Sequence, residues 1–111
     1  MVKINIPKTK KILDSLLILH NEVRSMIFVI VLGAEEKQEE MSITDIHKEL
    51  KKRNIQISSK NCWGHVKELV KSGLLQEQKE RNDRGQRTII KPTEKAHNIA
   101  KFLVGIKANF F

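Results

Sequence analysis

Residues 57–91 constrain the fold more tightly than any other stretch of the chain. Cys62, Val66, Leu69, Val70 and Gly73 recur at helical spacing and share one side of a helix. Lys60, Gly64, Lys67 and Lys71 fall on the opposite side, about 160 to 200 degrees away at ~100 degrees per residue. Ser58 or Ser59 supplies the cap, because a hydroxyl there accepts an otherwise unpaired backbone N–H. Gly73 suits the left-handed residue that ends a helix, and Leu74-Leu75 turns the chain back into a core. Residues 74–79 and 87–91 then pattern as two strands around a turn at 80–86, with Asn82-Asp83 and Gly85 as turn formers. Pro92 stops the second strand, and Thr93 caps a last helix from Glu94 to about Val104 with Ala96, Ile99, Ala100 and Leu103 as its apolar positions. Taken alone, a lysine-faced helix is more simply a solvated surface; the elements around it and the charge of the chain argue for more.

Upstream, Ile12, Leu16, Leu19, Val23, Met26 and Ile30 follow a 4-3-4-3-4 spacing, with Leu13, Leu17 and Ile27 beside them. This stripe suits one long helix or two broken near His20-Asn21; the capping chemistry of Asn21 and the wider apolar face after Arg24 favour the break. Residues 1–7 read as extended, with Pro7 or Thr9 opening the first helix. Residues 26–32 are apolar nearly all round and predict a central buried helix ended by Gly33, followed by an acidic connector over 34–40. Met41-Ser42-Ile43 adds a short strand, and Ser42 with Asp45 approximates a capping box. The helix it starts turns Ile43, Ile46 and Leu50 inward and Lys48, Lys51 and Lys52 outward, ending near Arg53-Asn54. Only Ile55-Gln56-Ile57 separates it from the lysine-faced helix, which is a helix-turn-helix arrangement.

At 111 residues and 40% hydrophobic content the chain fits one domain, 1–111, with a modest core. It divides into an N-terminal strand and helix over 1–20, the helix-turn-helix and hairpin over 21–92, and a C-terminal helix and tail over 93–111. The formal charge of +8 favours an acidic partner, either nucleic acid or an anionic membrane. That charge is uneven: residues 58–111 carry a net +6, residues 34–57 a net −1 and residues 1–33 a net +3. The excess lies with the helix and hairpin. A single cysteine rules out an internal disulfide and leaves too few thiols for a structural zinc site of the usual kind. Cys62 lies on the apolar face, which favours a buried structural thiol over a redox sensor. His20, His47, His65 and His97 are scattered, and no nucleophile–base pair, carboxylate pair or phosphate-cradling glycine loop appears. No enzyme activity, cofactor or metal is therefore expected.

Membrane insertion is not expected either, since residues 12–32 are interrupted by Asp14, His20, Asn21, Glu22 and Arg24. Lys8, Lys10 and Lys11 before an apolar run faintly resemble a signal peptide, but Asp14 interrupts the run and no small-residue cleavage site follows. A cytoplasmic location is expected.

The order helix, helix-turn-helix, hairpin, helix is that of a winged helix. The run from His65 through Val66-Lys-Glu-Leu-Val-Lys-Ser-Gly-Leu to Leu75 resembles the recognition-helix ending of ArsR-type and related archaeal regulators. The run Asn82-Asp-Arg-Gly-Gln-Arg-Thr-Ile-Ile-Lys-Pro-Thr-Glu-Lys-Ala96 is similar to the wing-to-helix segment of the multiple-antibiotic-resistance regulator (MarR) family. There, Pro92-Thr93-Glu-Lys-Ala96 replaces both the Leu and the Gly of the family's Leu-Thr-x-x-Gly start. The resemblance spans about residues 22 to 96. It implies an α+β, mainly α fold: a winged helix-turn-helix with an N-terminal dimerisation helix and a two-stranded hairpin wing. It also implies a dimeric transcriptional regulator whose partner is double-stranded DNA. Carried over, Ser59, Lys60, Asn61, Gly64 and Lys67 take recognition-helix positions, and Arg81, Arg84 and Arg87 the wing. Gly64 stands where a base-reading Arg or Ser is common, which shifts direct readout toward Asn61 and Lys60. The paired-cysteine metal box of ArsR sensors is absent, His65 is expected to be structural, and the chain leaves little room for a full C-terminal dimer helix.

On this reading Lys60, Lys67 and Lys71 meet phosphates, Asn61 meets adenine, and Arg84 at the wing tip enters a narrow minor groove. Trp63 packs between the two motif helices or under the wing in preference to stacking on a base. Ile12, Leu16 and Leu19 carry more apolar surface than a small domain covers, and a second copy would bury them, with Phe110-Phe111 packing there or on their own first helix. A small-molecule effector fits the same reading, with nothing in the residues to identify it. Two other functions compete: a protein-interaction subunit of a transcription or replication assembly, and an architectural protein binding DNA without sequence preference.

Overall fold

A computed structural model describes residues 14–110, with backbone alone at Asn82 and over 104–110. The strand expected over residues 1–7, the helix start at Pro7 or Thr9, Ile12 and Phe111 lie outside the described residues. Residues 14–18 are helical, and after a turn helix α1, Glu22–Glu36, begins. Asn21 makes that break: its side-chain oxygen accepts from the backbone N–H of Val23 at 2.9 Å and of Arg24 at 3.2 Å. Ile27, Phe28, Ile30, Val31 and Ala34 are buried, so α1 is the central helix. It is not buried all round, because Val29 is 51% exposed. Nor does Gly33 end it. Ala34 is buried against the core, and its packing with the helix-forming Glu35 and Glu36 outweighs the ~1 kcal/mol cost of an interior glycine. The chain leaves the helix one turn later, where Gln38 takes a left-handed φ of 58°.

Strand β1, Met41–Ser42, runs directly into helix α2, Ile43–Lys52. The capping box forms in full: Ser42 Oγ accepts from the Asp45 N–H at 3.2 Å, and Asp45 Oδ2 accepts from the Ser42 N–H at 3.0 Å. Asn54, at φ 63°, turns the chain out of α2. The ring of His47 lies 2.7 Å from the Ile57 carbonyl, and since a carbonyl only accepts, Nε2 is the donor. That bond fixes the turn into helix α3, Ser59–Lys71, which is capped by Ser58 accepting from the Asn61 N–H at 3.1 Å. Ile46 and Leu50 of α2 and Cys62, Val66 and Leu69 of α3 are fully buried in one cluster. Each aliphatic side chain there contributes roughly 1.5–3 kcal/mol by leaving water.

Gly73, at φ 83°, ends α3 and delivers Leu74 and Leu75 to the core. Strands β2, Leu75–Asn82, and β3, Gly85–Pro92, pair antiparallel from Leu75 opposite Pro92 to Asn82 opposite Gly85. The turn is therefore Asp83-Arg84 alone, shorter than the 80–86 read from composition. Glu80, Arg81 and Gln86 are polar because the ladder is solvated, not because it is a loop. β1 pairs with the other edge of β3, Met41 opposite Ile90, giving a three-stranded sheet of order β1-β3-β2. Helix α4, Glu94–Phe110, is longer than the expected end near Val104. No proline follows Val104, and a single interior glycine such as Gly105 costs only about 1 kcal/mol. The result is an α+β, mainly helical winged helix-turn-helix whose hairpin gains a third, short strand at its base.

Candidate nucleic-acid interface

The outer face of α3 is what burial of its inner face leaves over. With Cys62, Val66 and Leu69 fully buried, Ser59, Lys60, Asn61, Gly64, Lys67 and Lys71 are all exposed. A Cβ added at Gly64 would meet no heavy atom within 4 Å beyond its chain neighbours and the backbone of its own helix. The middle turn of α3 is therefore bare backbone, open to close approach by another molecule.

Contacts at both ends and at the middle hold this helix in place. His47 fixes its entry, as described above. Arg24 Nε of α1 donates to His65 Nδ1 at 3.2 Å. Burial, and then the charge of Arg24, push the His65 pKa below its ordinary value, against the opposing pull of Glu68. His65 is thus a neutral acceptor locking α3 to α1. At the C-terminal end the Thr93 hydroxyl reaches the Gly73 and Leu74 carbonyls, and Lys95 Nζ donates to the Ser72 carbonyl at 2.8 Å. Lys71 and Lys95 place positive charge where the helix dipole favours it. Thr93 also accepts from the Ala96 N–H at 3.2 Å, so one residue both ties down the turn after α3 and caps α4.

The cations of this face are not equivalent. Lys60 and Lys71 have no ion pair among the described residues, and neither has Arg81 on β2. Arg84 occupies the hairpin turn and is exposed. Lys67 instead has its Nζ 2.8 Å from Glu77 Oε1 on β2 and 4.2 Å from the centroid of the half-buried Trp63 ring. Arg87 Nη2 lies 3.1 Å from Asp45 Oδ2. The Ser42 backbone N–H, against the opposing effect of burial, and then the Ser42 hydroxyl and Arg87 hold that carboxyl below the usual carboxylate range. Arg87 thus ties the wing strand to the start of α2. Sequence reasoning missed Glu77, Asp45 as a partner of Arg87, and the Arg24–His65 bond. One signal was present: strand alternation puts Glu77 on the side of the buried Leu75, facing the helices.

A second surface lies apart from α3. Leu16 and Leu19 are half-buried, Leu17 is 72% exposed, and Val29, Phe102 and Leu103 are also exposed. A groove of about 420 Å³ runs between Leu16, Leu19, Phe28, Val29, Leu32 and Leu103. The side chain of Phe110 is outside the described residues, as are Ile12 and Phe111. Cys62 is buried, and burial pushes its thiol pKa up. Among the described residues no group of three or more His, Cys, Asp or Glu side chains is placed to hold a metal ion. No helix there is long and apolar enough to cross a membrane.

No protein-family model and no curated relative matches the chain. Solved structures do. The transcriptional regulator homologue protein from Pyrococcus horikoshii OT3 is 27% identical, with 92% of each chain covered and a TM-score of 0.65. The transcriptional regulator YodB from B. subtilis is 17% identical over 97% of this chain and 90% of its own, with a TM-score of 0.69. A PadR family transcription regulator from Clostridium difficile R20291 is 11% identical over 77% of this chain and 85% of its own, with a TM-score of 0.62. The latter two likenesses are likenesses of fold.

Proposed function

We propose that the chain is a dimeric DNA-binding transcriptional regulator that lays α3 in the major groove and the wing over the adjacent backbone and minor groove. The observation that carries this reading is the exposed row Lys60, Gly64 and Lys71 on a helix whose opposite face is locked into the core. Lysines at both ends of a bare helical turn suit phosphates flanking a groove, and Asn61 beside them suits the N6 and N7 edge of adenine. Arg81 and Arg84 extend the same charge along the wing. The solved structures of like fold are described as transcriptional regulators, which supports the reading. Within that class, the motif resemblance points toward MarR and ArsR-type chains. A cytoplasmic location accompanies the role.

For the dimer, the support is the apolar surface around Leu16, Leu17, Leu19, Val29 and Leu103, which a second copy would remove from water. The groove within it is also where a small-molecule effector would enter. Selection from a random duplex library tests the whole reading. The expected product is an inverted repeat with half-sites about one helical turn apart. Binding without any consensus would instead indicate an architectural protein, and no binding at low salt a protein-interaction subunit.

A further inference from the structure

Glu77 projects from an inward position of β2 with its side chain only 19% exposed and its Oε1 buried without a hydrogen bond among the described residues, so that the ion pair is what meets its charge. A buried carboxylate is costly unless a counter-charge meets it. Lys67 does so at 2.8 Å, and its ammonium also lies 4.2 Å from the Trp63 ring centroid, where the ring's quadrupole attracts it. Two attractions therefore converge on one position of a side chain that is still 48% exposed and belongs to the cationic face of α3. A carboxylate and a phosphate offer an ammonium group the same kind of counter-charge, and Glu77 already occupies that role through an ion pair.

We propose that Glu77 is a specificity-determining residue of the DNA interface: it retains Lys67 on the protein in place of a phosphate and so removes one contact from sequence-independent binding. This inference rests on the DNA-binding reading above. With Lys67 held back, the phosphate contacts of α3 fall to Lys60 and Lys71, and base contacts near Asn61 and Gly64 carry a larger share of the affinity. Neutralising Glu77 frees a cation that every duplex can use.

The experiment is a titration of full-length protein against a labelled random-sequence duplex across a range of monovalent salt. It compares wild type with E77Q, E77Q/K67M and K67M. E77Q is expected to steepen the fall of log affinity with log salt by about 0.9, and to tighten binding about eightfold at ~0.1 M salt, as one added phosphate contact does. The double variant is expected to return to the wild-type slope. Emission of Trp63, the only tryptophan, is expected to change in E77Q as the ammonium leaves its ring. A wild-type slope in E77Q, with a double variant shallower by about 0.9, would mean that Lys67 already meets phosphate and would overturn the inference. The double variant, which removes both charges of the pair and strands neither, keeps the test open if a single variant does not fold. A slope unchanged from wild type is expected of it, as of K67M, and a shallower one overturns the inference. Wild-type binding with these failures sinks the inference alone; a wild type that binds no duplex sinks the DNA-binding reading with it.

Discussion

Helix α3 and the wing carry similar cations on different supports. Beneath α3, Val66 and Leu69 are fully buried, and bonds from Arg24, His47, Thr93 and Lys95 reach the helix or the turns at its ends. The wing is anchored toward its base, where Ile89 and Ile90 are buried and Arg87 pairs with Asp45; toward the tip the residues are exposed and carried by the strand ladder. The position of Lys60 is thus decided by the core, and that of the wing-tip backbone by the hairpin ladder. Damage to the core should reach the α3 surface, while damage at the wing tip should stay local.

The largest expected effect is on the core side. Leu69→Ala should cost about 2–5 kcal/mol in urea unfolding, whereas Arg81→Ala on the wing should stay within about 0.5 kcal/mol. Equal losses would break the contrast. At the start of α3, Ser58→Ala should cost about 1 kcal/mol and Ser59→Ala much less, because Ser58 makes the capping bond. The reverse order would put the cap one residue later.

His65 gives α3 a pH dependence. Its folded pKa is depressed below 6.5, so the native state binds its proton less readily than the unfolded chain does. The stabilisation from neutral His65 is fully present above pH 6.5 and is lost as the pH falls through the lower folded value. His65→Asn keeps an acceptor for Arg24 but does not titrate. Its stability between pH 7 and the onset of carboxylate protonation should be flatter than wild type, and an unchanged profile would refute the assignment.

Gly64→Ala separates folding from binding. The added methyl meets open space, so helix propensity should stabilise the protein by roughly 0.5–1 kcal/mol. If DNA approaches that bare turn, the same change should weaken duplex binding. A variant both more stable and undiminished in binding would move the contact away from the middle of α3.

Local chemistry was readable in the sequence. Asn21, the Ser42–Asp45 box, the Gly73 stop and the apolar stripe of α3 each involve residues within a few positions of one another, and periodicity finds such groups. Elements whose bounds depend on packing were not readable. Gly33 lies inside α1 because Ala34 is buried, and the ladder reaches Asn82 and Gly85 because backbone pairing tolerates polar side chains. The state of the candidate site was the least accessible of all. Nothing in composition distinguishes Lys60 from Lys67, or Arg81 from Arg87. Glu77 and Asp45 make that difference, and the Arg87–Asp45 pair joins positions 42 residues apart.

The claim that α3 docks on DNA through its unpaired lysines is tested most directly by the salt dependence of duplex binding in wild type and K60Q/K71Q. Both residues are exposed, so stability should change by no more than the ~0.3–1 kcal/mol that Lys71 contributes at the helix C-terminus. The expected result is a slope of log affinity against log salt shallower by about 1.8, two phosphate contacts at about 0.9 each. An identical slope in the two proteins, or no duplex binding by the wild type at low salt, would contradict it.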